Sequence, residues 1–404
     1  MVLRKTKAVF YWNRLLSAPF WAIYAVLAVV LHKAEHISPA QLTLVVASKP
    51  AASILGFFWA GLVNRRRDRL VANLVWANML KFMPFLFFPF ISNSWFFISS
   101  IALFMVFQRG VIPAWMEVIK LSIKGSERES TFAVGAAIDY VISTLIPFVF
   151  GWMLDEHQSS WRWISAGTAL LGMSSTFFLC RLSLGPIVRA SSYLPSSSYR
   201  TSLAEAWSLL RERPDFAQFQ MGFMLGGSGL IIFQTALPVF FVETLHLSYT
   251  ELCAALMVCK ALGFALTSTT WAKRLNSVDI FRMCALVTSL AALFPLLLLC
   301  ATWQISWLYI AYGIYGVMQA GSELCWHMSG PLFSGEQESS SYSAINVLSV
   351  GIRGCVVPFI GTLLYVFLGI HVVFIAGSLL CLLATLHMRR FSLQTVPGAL
   401  VLES

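Results

Sequence analysis

"QRGVIPAW" (residues 108–115) and "QAGSELCW" (residues 319–326) carry Gln, Gly and Trp in one register, 211 residues apart. The same displacement lays Lys49 on Lys260, Pro84 on Pro295 and Pro147-Phe148 on Pro358-Phe359. Trp59 meets Trp271 with one residue of slippage. A single shared apolar residue would carry no weight. A constant offset through several segments marks a duplication, so the chain reads as two structurally equivalent halves.

Composition sets the solvent in which those halves fold. Of 404 residues, 58% are hydrophobic and only 11% charged, with a mean hydropathy of +0.75. A soluble protein carries about 25% charged residues, so this is a polytopic membrane protein. Only helices or closed barrels satisfy their backbone in hydrocarbon. Apolar windows long enough to cross about 30 Å fall near 10–31, 39–63, 70–91, 95–117, 131–154 and 161–183. They recur near 216–242, 250–272, 278–301, 305–328, 342–366 and 370–388. The expected fold is all-α, with twelve transmembrane helices in two pseudo-symmetric bundles of six. Residues 1–183 and 216–404 form the bundles and 184–215 the linker. The start, "MVLRKTKAVFYWNRLL", is basic and then apolar. Its apolar run is too long for a signal peptide and no small-residue cleavage site follows, so it reads as a retained first span.

Charge supplies the orientation. The net charge of +10 does not point to nucleic acid, because the basic residues are sorted into alternate loops. With both ends cytoplasmic, the inner segments hold twenty Lys and Arg, and the outer loops only Lys33 and Arg162. The positive-inside rule fixes that topology, and the expected location is a plasma membrane of the bacterial inner type. In the linker, "SSYLPSSSYR" (191–200) is Ser-rich and flexible. "SLAEAWSLLRER" (202–213) sets Leu203, Trp207 and Leu210 on one helical face, which suits a helix on the membrane surface or a plain cytosolic one. The eight cysteines show no paired spacing, so neither a disulfide framework, a metal site nor a cofactor is expected.

With this repeat, the chain resembles the major facilitator superfamily over nearly its whole length. "AGLVNRRRDRL" (60–70) is similar to that family's loop motif between spans 2 and 3. Asn64 stands at the motif's acid, Arg65 at its arginine, and Ala60 and Arg67 at its two glycines. "GSERES" (125–130) and "WRWIS" (161–165) also resemble family positions. "STLIPFVFGW" keeps Pro147 and Gly151 of a span-5 signature but not its paired glycines. Arg109 stands three residues after the family's span-4 arginine position, which here is Val106. Asn64 and Arg65 are the implied cytoplasmic gate. The resemblance implies transport by alternating access, in a monomer whose partners are a small-molecule substrate and the lipid bilayer.

The interior charges carry the rest. Arg14, Lys49, Lys81, Arg109, Asp139, Lys260, Glu323 and Arg353 all fall inside predicted spans. A Lys or Arg at the bilayer centre costs roughly 2.5–3.5 kcal/mol on insertion scales, so each must face a cavity or a partner. Arg109 and Asp139 fall at one depth on adjacent antiparallel spans. They read as a structural or gating pair, or as a proton or substrate site. Lys49 and Lys260 are equivalent in the repeat and have no acid at matching depth on their own helices. They read as an anion clamp, with Arg353 a third cation, or as lysines tied to Asp139 or to carbonyls. Glu323 and His327 share a helical face and read as a proton-coupling pair, while Glu323 alternatively neutralises Arg353. Gln108 and Gln319 repeat symmetrically and read as substrate contacts or as helix-joining amides.

The expected function is secondary transport of a small, anionic metabolite, proton-coupled or by exchange. A broad-specificity exporter is the alternative within transport, but it favours interior acids, and here six bases face two acids. No nucleophile–base pair, ligand cluster or phosphate-binding loop supports an enzyme or a sensor.

Overall fold

In the computed structural model the regular structure is helical, with no strand among the described residues, which are 2–65, 69–123, 125–182, 207–275, 278–334 and 339–394. The main helices are α1 (Val2–Glu35), α2 (Pro39–Arg65), α3 (Leu70–Phe82), α4 (Ser94–Ser122), α5 (Gly125–Glu156) and α6 (Ser160–Leu179). After the linker come α7 (Pro214–Ile231), α8 (Tyr249–Leu275), α9 (Ile280–Cys300), α10 (Ser306–Ser334), α11 (Ser339–Leu368) and α12 (Ile370–Gln394). Among the described residues, seven helices are long and apolar enough to cross a membrane. Side-chain caps start several of them. Asn93 accepts from the Trp95 amide, Asp279 from the Phe281 amide, and Ser248 with Glu251 forms a reciprocal capping box.

Contacts divide the chain into two units, Met1–Ser197 with Leu237–Met257, and Ser198–Ala236 with Val258–Ser404. The first has an aromatic centre in which Phe20 meets Phe82, Phe85 and Phe104 at centroid distances of 4.7–5.1 Å. The second has its own, in which Phe216 meets Tyr342 at 4.9 Å and Phe219 meets Phe333 at 5.1 Å.

The duplicated Gly and Trp have a physical use within each unit. A methyl group on Gly110 would lie 2.5 Å from the Trp59 ring, and one on Gly321 would lie 2.9 Å from the Trp271 ring. In both units a glycine on one helix therefore seats an indole from another. Each indole N–H is then satisfied: Trp59 donates to Asn73 Oδ1 and Trp271 to the Val317 carbonyl, both at 2.8 Å. The repeated prolines diverge more. Pro147 and Pro358 lie inside helices, as does Pro295, whereas Pro84 lies in a 3₁₀ segment, Met83–Phe87, that follows α3.

The expected span over 216–242 is not one helix. α7 stops at Ile231, and 3₁₀-type bonds run from the Gln234 amide to the Ile231 carbonyl and from the Ala236 amide to the Phe233 carbonyl. Pro238 has no amide to return to residue 234, and its ring crowds that turn. Beyond it, Leu237–Met257 packs into the first unit. Asp155 at the end of α5 accepts from the Tyr249 and Thr250 amides at 2.7 and 2.9 Å and from the Thr250 hydroxyl at 2.6 Å. A carboxylate thus sits on the donor-rich N-terminus of α8. Gly151, one turn before Asp155, lets the Thr250 backbone approach to that distance. Lys33 donates to the Leu247 carbonyl at 3.0 Å and lies 4.4 Å from the Tyr249 ring centroid, while His32 meets Glu243 at 3.0 Å. The division between the units falls inside a π-helical stretch of α8, Ala254–Cys259, where the regular bonding ladder is already interrupted.

The linker helix is seen only in its last turn and a half. Residues 207–212 are helical, with Trp207 exposed and the Arg211 guanidinium 5.3 Å from its ring centroid. Leu203 lies outside the described residues.

Two stability predictions follow from these seats and caps. Gly110→Ala and Gly321→Ala each destabilise the detergent-solubilised protein by the about 1–3 kcal/mol typical of overpacking, read as a lowered melting temperature. Gly313→Ala, where a methyl group meets open space, leaves it unchanged. Asp155→Ala costs about 1.5–3 kcal/mol, the scale of losing a charged hydrogen-bond acceptor, measured in the same assay.

Candidate functional site

The interior charges of the first unit are built around α1. Arg14 Nη1 donates to Asp139 Oδ2 at 2.6 Å, and its guanidinium lies 5.1 Å from the Phe10 ring centroid. This corrects the expected pairing of Asp139 with Arg109. Four residues before Asp139 on α5, Gly135 makes room for the ring of Phe10, which in turn lies four residues before Arg14 on α1. The Phe10–Gly135 seat therefore brings α1 against α5 and sets Arg14 opposite Asp139. Arg109 lies on α4, half-buried, with the Tyr24 phenol of α1 as its electrostatic neighbour.

Lys81 is 3% exposed, which makes it the most deeply buried base described. Its ammonium donates to Gln108 Oε1 at 3.0 Å and lies 4.5 Å from the Phe82 ring centroid. Gln108 therefore holds a lysine rather than standing open. One turn before Lys81, Asn78 ties α3 to α6 through Thr176 Oγ1 at 2.9 Å and Ser175 Oγ at 3.0 Å. Lys49 is exposed on α2, immediately before Pro50, and its carbonyl accepts from Ser53 Oγ at 3.1 Å. The side chains of Asn64 and Arg65 lie outside the described residues.

In the second unit Lys260 is half-buried, its ammonium 5.9 Å from the Tyr315 ring centroid. A methyl group on Gly316 would overlap the Lys260 carbonyl, so the α8 and α10 backbones run close together there. Gln319 Nε2 donates to Glu323 Oε1 at 3.2 Å, one turn along α10. Glu323 and His327 are both exposed, and no hydrogen bond joins them among the described residues. Nor is Glu323 the partner of Arg353. That guanidinium is buried, donates through Nη1 to the Phe223 carbonyl at 2.8 Å and lies 5.6 Å from the Phe223 ring centroid. Its Nε is buried without a hydrogen-bond partner.

Sequence reasoning missed what seats Arg353. α7 carries Gly226, Gly227 and Gly229, and a methyl group on Gly227 would overlap the Arg353 guanidinium. Beside it is a cavity of about 200 Å³ inside the second unit, lined among others by Phe223, Gln234, Tyr315, Ser322 and Arg353. The run "MLGGSG" (224–229) was the available signal, since three glycines in one span argue for close approach of another group. Gln220, by contrast, is structural. Its amide donates to Asn346 Oδ1, and Asn346 Nδ2 donates to Ser329 Oγ at 2.7 Å.

Residues 12–356 match the family model described as Major Facilitator Superfamily. The fold is similar to that of the nucleoside transporter NupG, with a TM-score of 0.74 and 12% identity, covering 95% of this chain and 98% of that one. It is also similar to a POT family transporter in complex with 5-aminolevulinic acid, at a TM-score of 0.72 and 12% identity, covering 97% and 96%. A peptide transporter POT in complex with sulfate gives 0.70 at 13% identity, covering 97% and 94%. No curated protein sequence gives a significant match.

The Arg14–Asp139 pair is testable on its own. A double-mutant cycle with Arg14→Ala and Asp139→Ala gives a coupling of about 1 kcal/mol by thermal denaturation, within the range for contacting pairs. The corresponding cycle between Arg109 and Asp139 gives none.

Proposed function

The chain belongs to the major facilitator superfamily, and we propose from that premise that it moves a small anionic metabolite across the membrane by alternating access. It is an integral membrane transporter. Solute charge is the finer reading, and one observation carries it. Asp139 is taken up by Arg14 and Glu117 is a second buried carboxylate of the first unit, while Lys81, Arg109 and Arg353 form no ion pair with any described carboxylate. Bases held in a low-dielectric interior and not paired with acids raise the local potential and favour an anion over a neutral or cationic solute.

Within this reading Lys49 and Lys260 each contact the solute, on the strength of their equivalent places in the duplication. Arg353 supplies a further cation. Gln108 is bound to Lys81 and acts through it. Gln319 stands beside Glu323, which is exposed on α10. Coupling runs through a proton at Glu323 or at Asp139, where protonation would release Arg14, or through exchange against a second anion. Residues 1–183 and 216–404 are the proposed moving bundles. The proposed setting is a plasma membrane of the bacterial inner type, and the charge bias of the loops supports cytoplasmic termini.

In proteoliposomes, a panel of labelled organic anions includes a substrate whose uptake falls at least about tenfold in Lys49→Ala and in Lys260→Ala, the scale of one lost charged contact. Normal uptake in both variants rejects the lysine assignment. An imposed proton gradient drives accumulation in the wild type. Either Glu323→Gln or Asp139→Asn abolishes the drive while counterflow persists; if both retain full drive, neither residue carries the proton.

A further inference from the structure

The second unit contains a ligand-sized space that Lys49 and Lys260 do not line. It lies among α7, α9, α10, α11 and α12 and has a volume of about 200 Å³. At the packing density of protein interiors, such a space accepts a ligand of about ten non-hydrogen atoms. Its lining is largely apolar, with Leu230, Val287 and Met318 among the contributors. Tyr315, Ser322 and Gln234 add neutral hydroxyl and amide groups, and none of the lining residues is an acid.

One cation borders this space. Arg353 is 8% exposed, and its guanidinium is held from one side by the Phe223 carbonyl, which accepts from Nη1 at 2.8 Å. Its Nε meets no acceptor although it is buried. A buried guanidinium that pairs with no described carboxylate is costly. Gly227 keeps the guanidinium in place, because any side chain there would displace it. A helix that gives up a side chain to admit a charge it does not neutralise is built around that charge.

We propose that this cavity is a binding site for a small monocarboxylate with an apolar body, whose carboxylate pairs with Arg353. One guanidinium matches one carboxylate, the geometry in which arginine recognition is strongest. The apolar walls and the volume match a ring or short branched chain. The site deepens the anion reading and rests on it for its place in transport, but its occupancy is measured without transport.

The probe is radiolabelled benzoate, bound at equilibrium to the full-length protein in detergent. Wild type binds it saturably, whereas benzamide, its neutral isostere, fails to compete. Arg353→Lys, which keeps the charge but loses the fork, weakens binding roughly tenfold or more, and Arg353→Gln abolishes it. Should the Arg353 variants misfold, the wild-type competition series still decides. Equal competition by benzamide overturns the site, as does unchanged affinity in folded Arg353→Gln. The Lys49→Ala/Lys260→Ala variant separates the two claims. Retained benzoate binding there supports the cavity even if uptake is lost. Loss of binding with Arg353 intact places the anion at the lysines and rejects the cavity, leaving the transport reading standing.

Discussion

A charge inside a hydrocarbon-spanning helix must have a partner, a ligand or water, and the interior of this protein follows from how each base meets that requirement. Arg14 is met by Asp139 across the Phe10–Gly135 seat. Lys81 is met by the Gln108 amide and the Phe82 ring. Arg353 is met on one side only, by a carbonyl. The solutions therefore differ in kind. An ion pair closes the electrostatics of its site, an amide partly satisfies a donor without cancelling charge, and a single carbonyl leaves both charge and a donor over. On the proposed reading, that gradation separates bases that hold helices together from bases that meet a solute.

Glycine is the geometric counterpart of those charges. Gly135 admits Phe10, Gly110 and Gly321 admit Trp59 and Trp271, and Gly227 admits the Arg353 guanidinium. Without a hydrophobic drive between helices in lipid, close packing around small residues is a main source of cohesion. Here it also sets the register that brings charges to their partners. The two roles are linked on α5, where Gly135 and Asp139 are one turn apart, as are Gly151 and Asp155. In each pair the glycine permits the approach and the carboxylate fixes it.

The sequence made the duplication legible because its shared residues have unshared physical demands. Gly110 with Trp59 and Gly321 with Trp271 are lock and key within each unit, so the offset survives where apolar positions drift. Membrane class and family were equally open to reading, since they depend on composition and loop motifs. Pairing was not. Arg109 and Asp139 lie at similar depth on consecutive spans, and sequence proximity suggested a bond. α1 instead lies along α5, which no local pattern announces. The break after Ile231 could be read from Pro238 alone, but the packing of Leu237–Met257 into the first unit depends on contacts with Asp155, Lys33 and His32 that are distant in sequence. Arg353 was visible as a charge, whereas its cavity required knowing which helices surround it.

The claim on which the functional reading rests is that these interior bases select an anion. Thermal stabilisation of the purified protein by matched pairs of compounds, each a carboxylate with its neutral amide isostere, measures that selection directly. Stabilisation confined to the carboxylate members is the predicted result. Equal stabilisation by the amides, or preferential stabilisation by lipophilic cations, contradicts it.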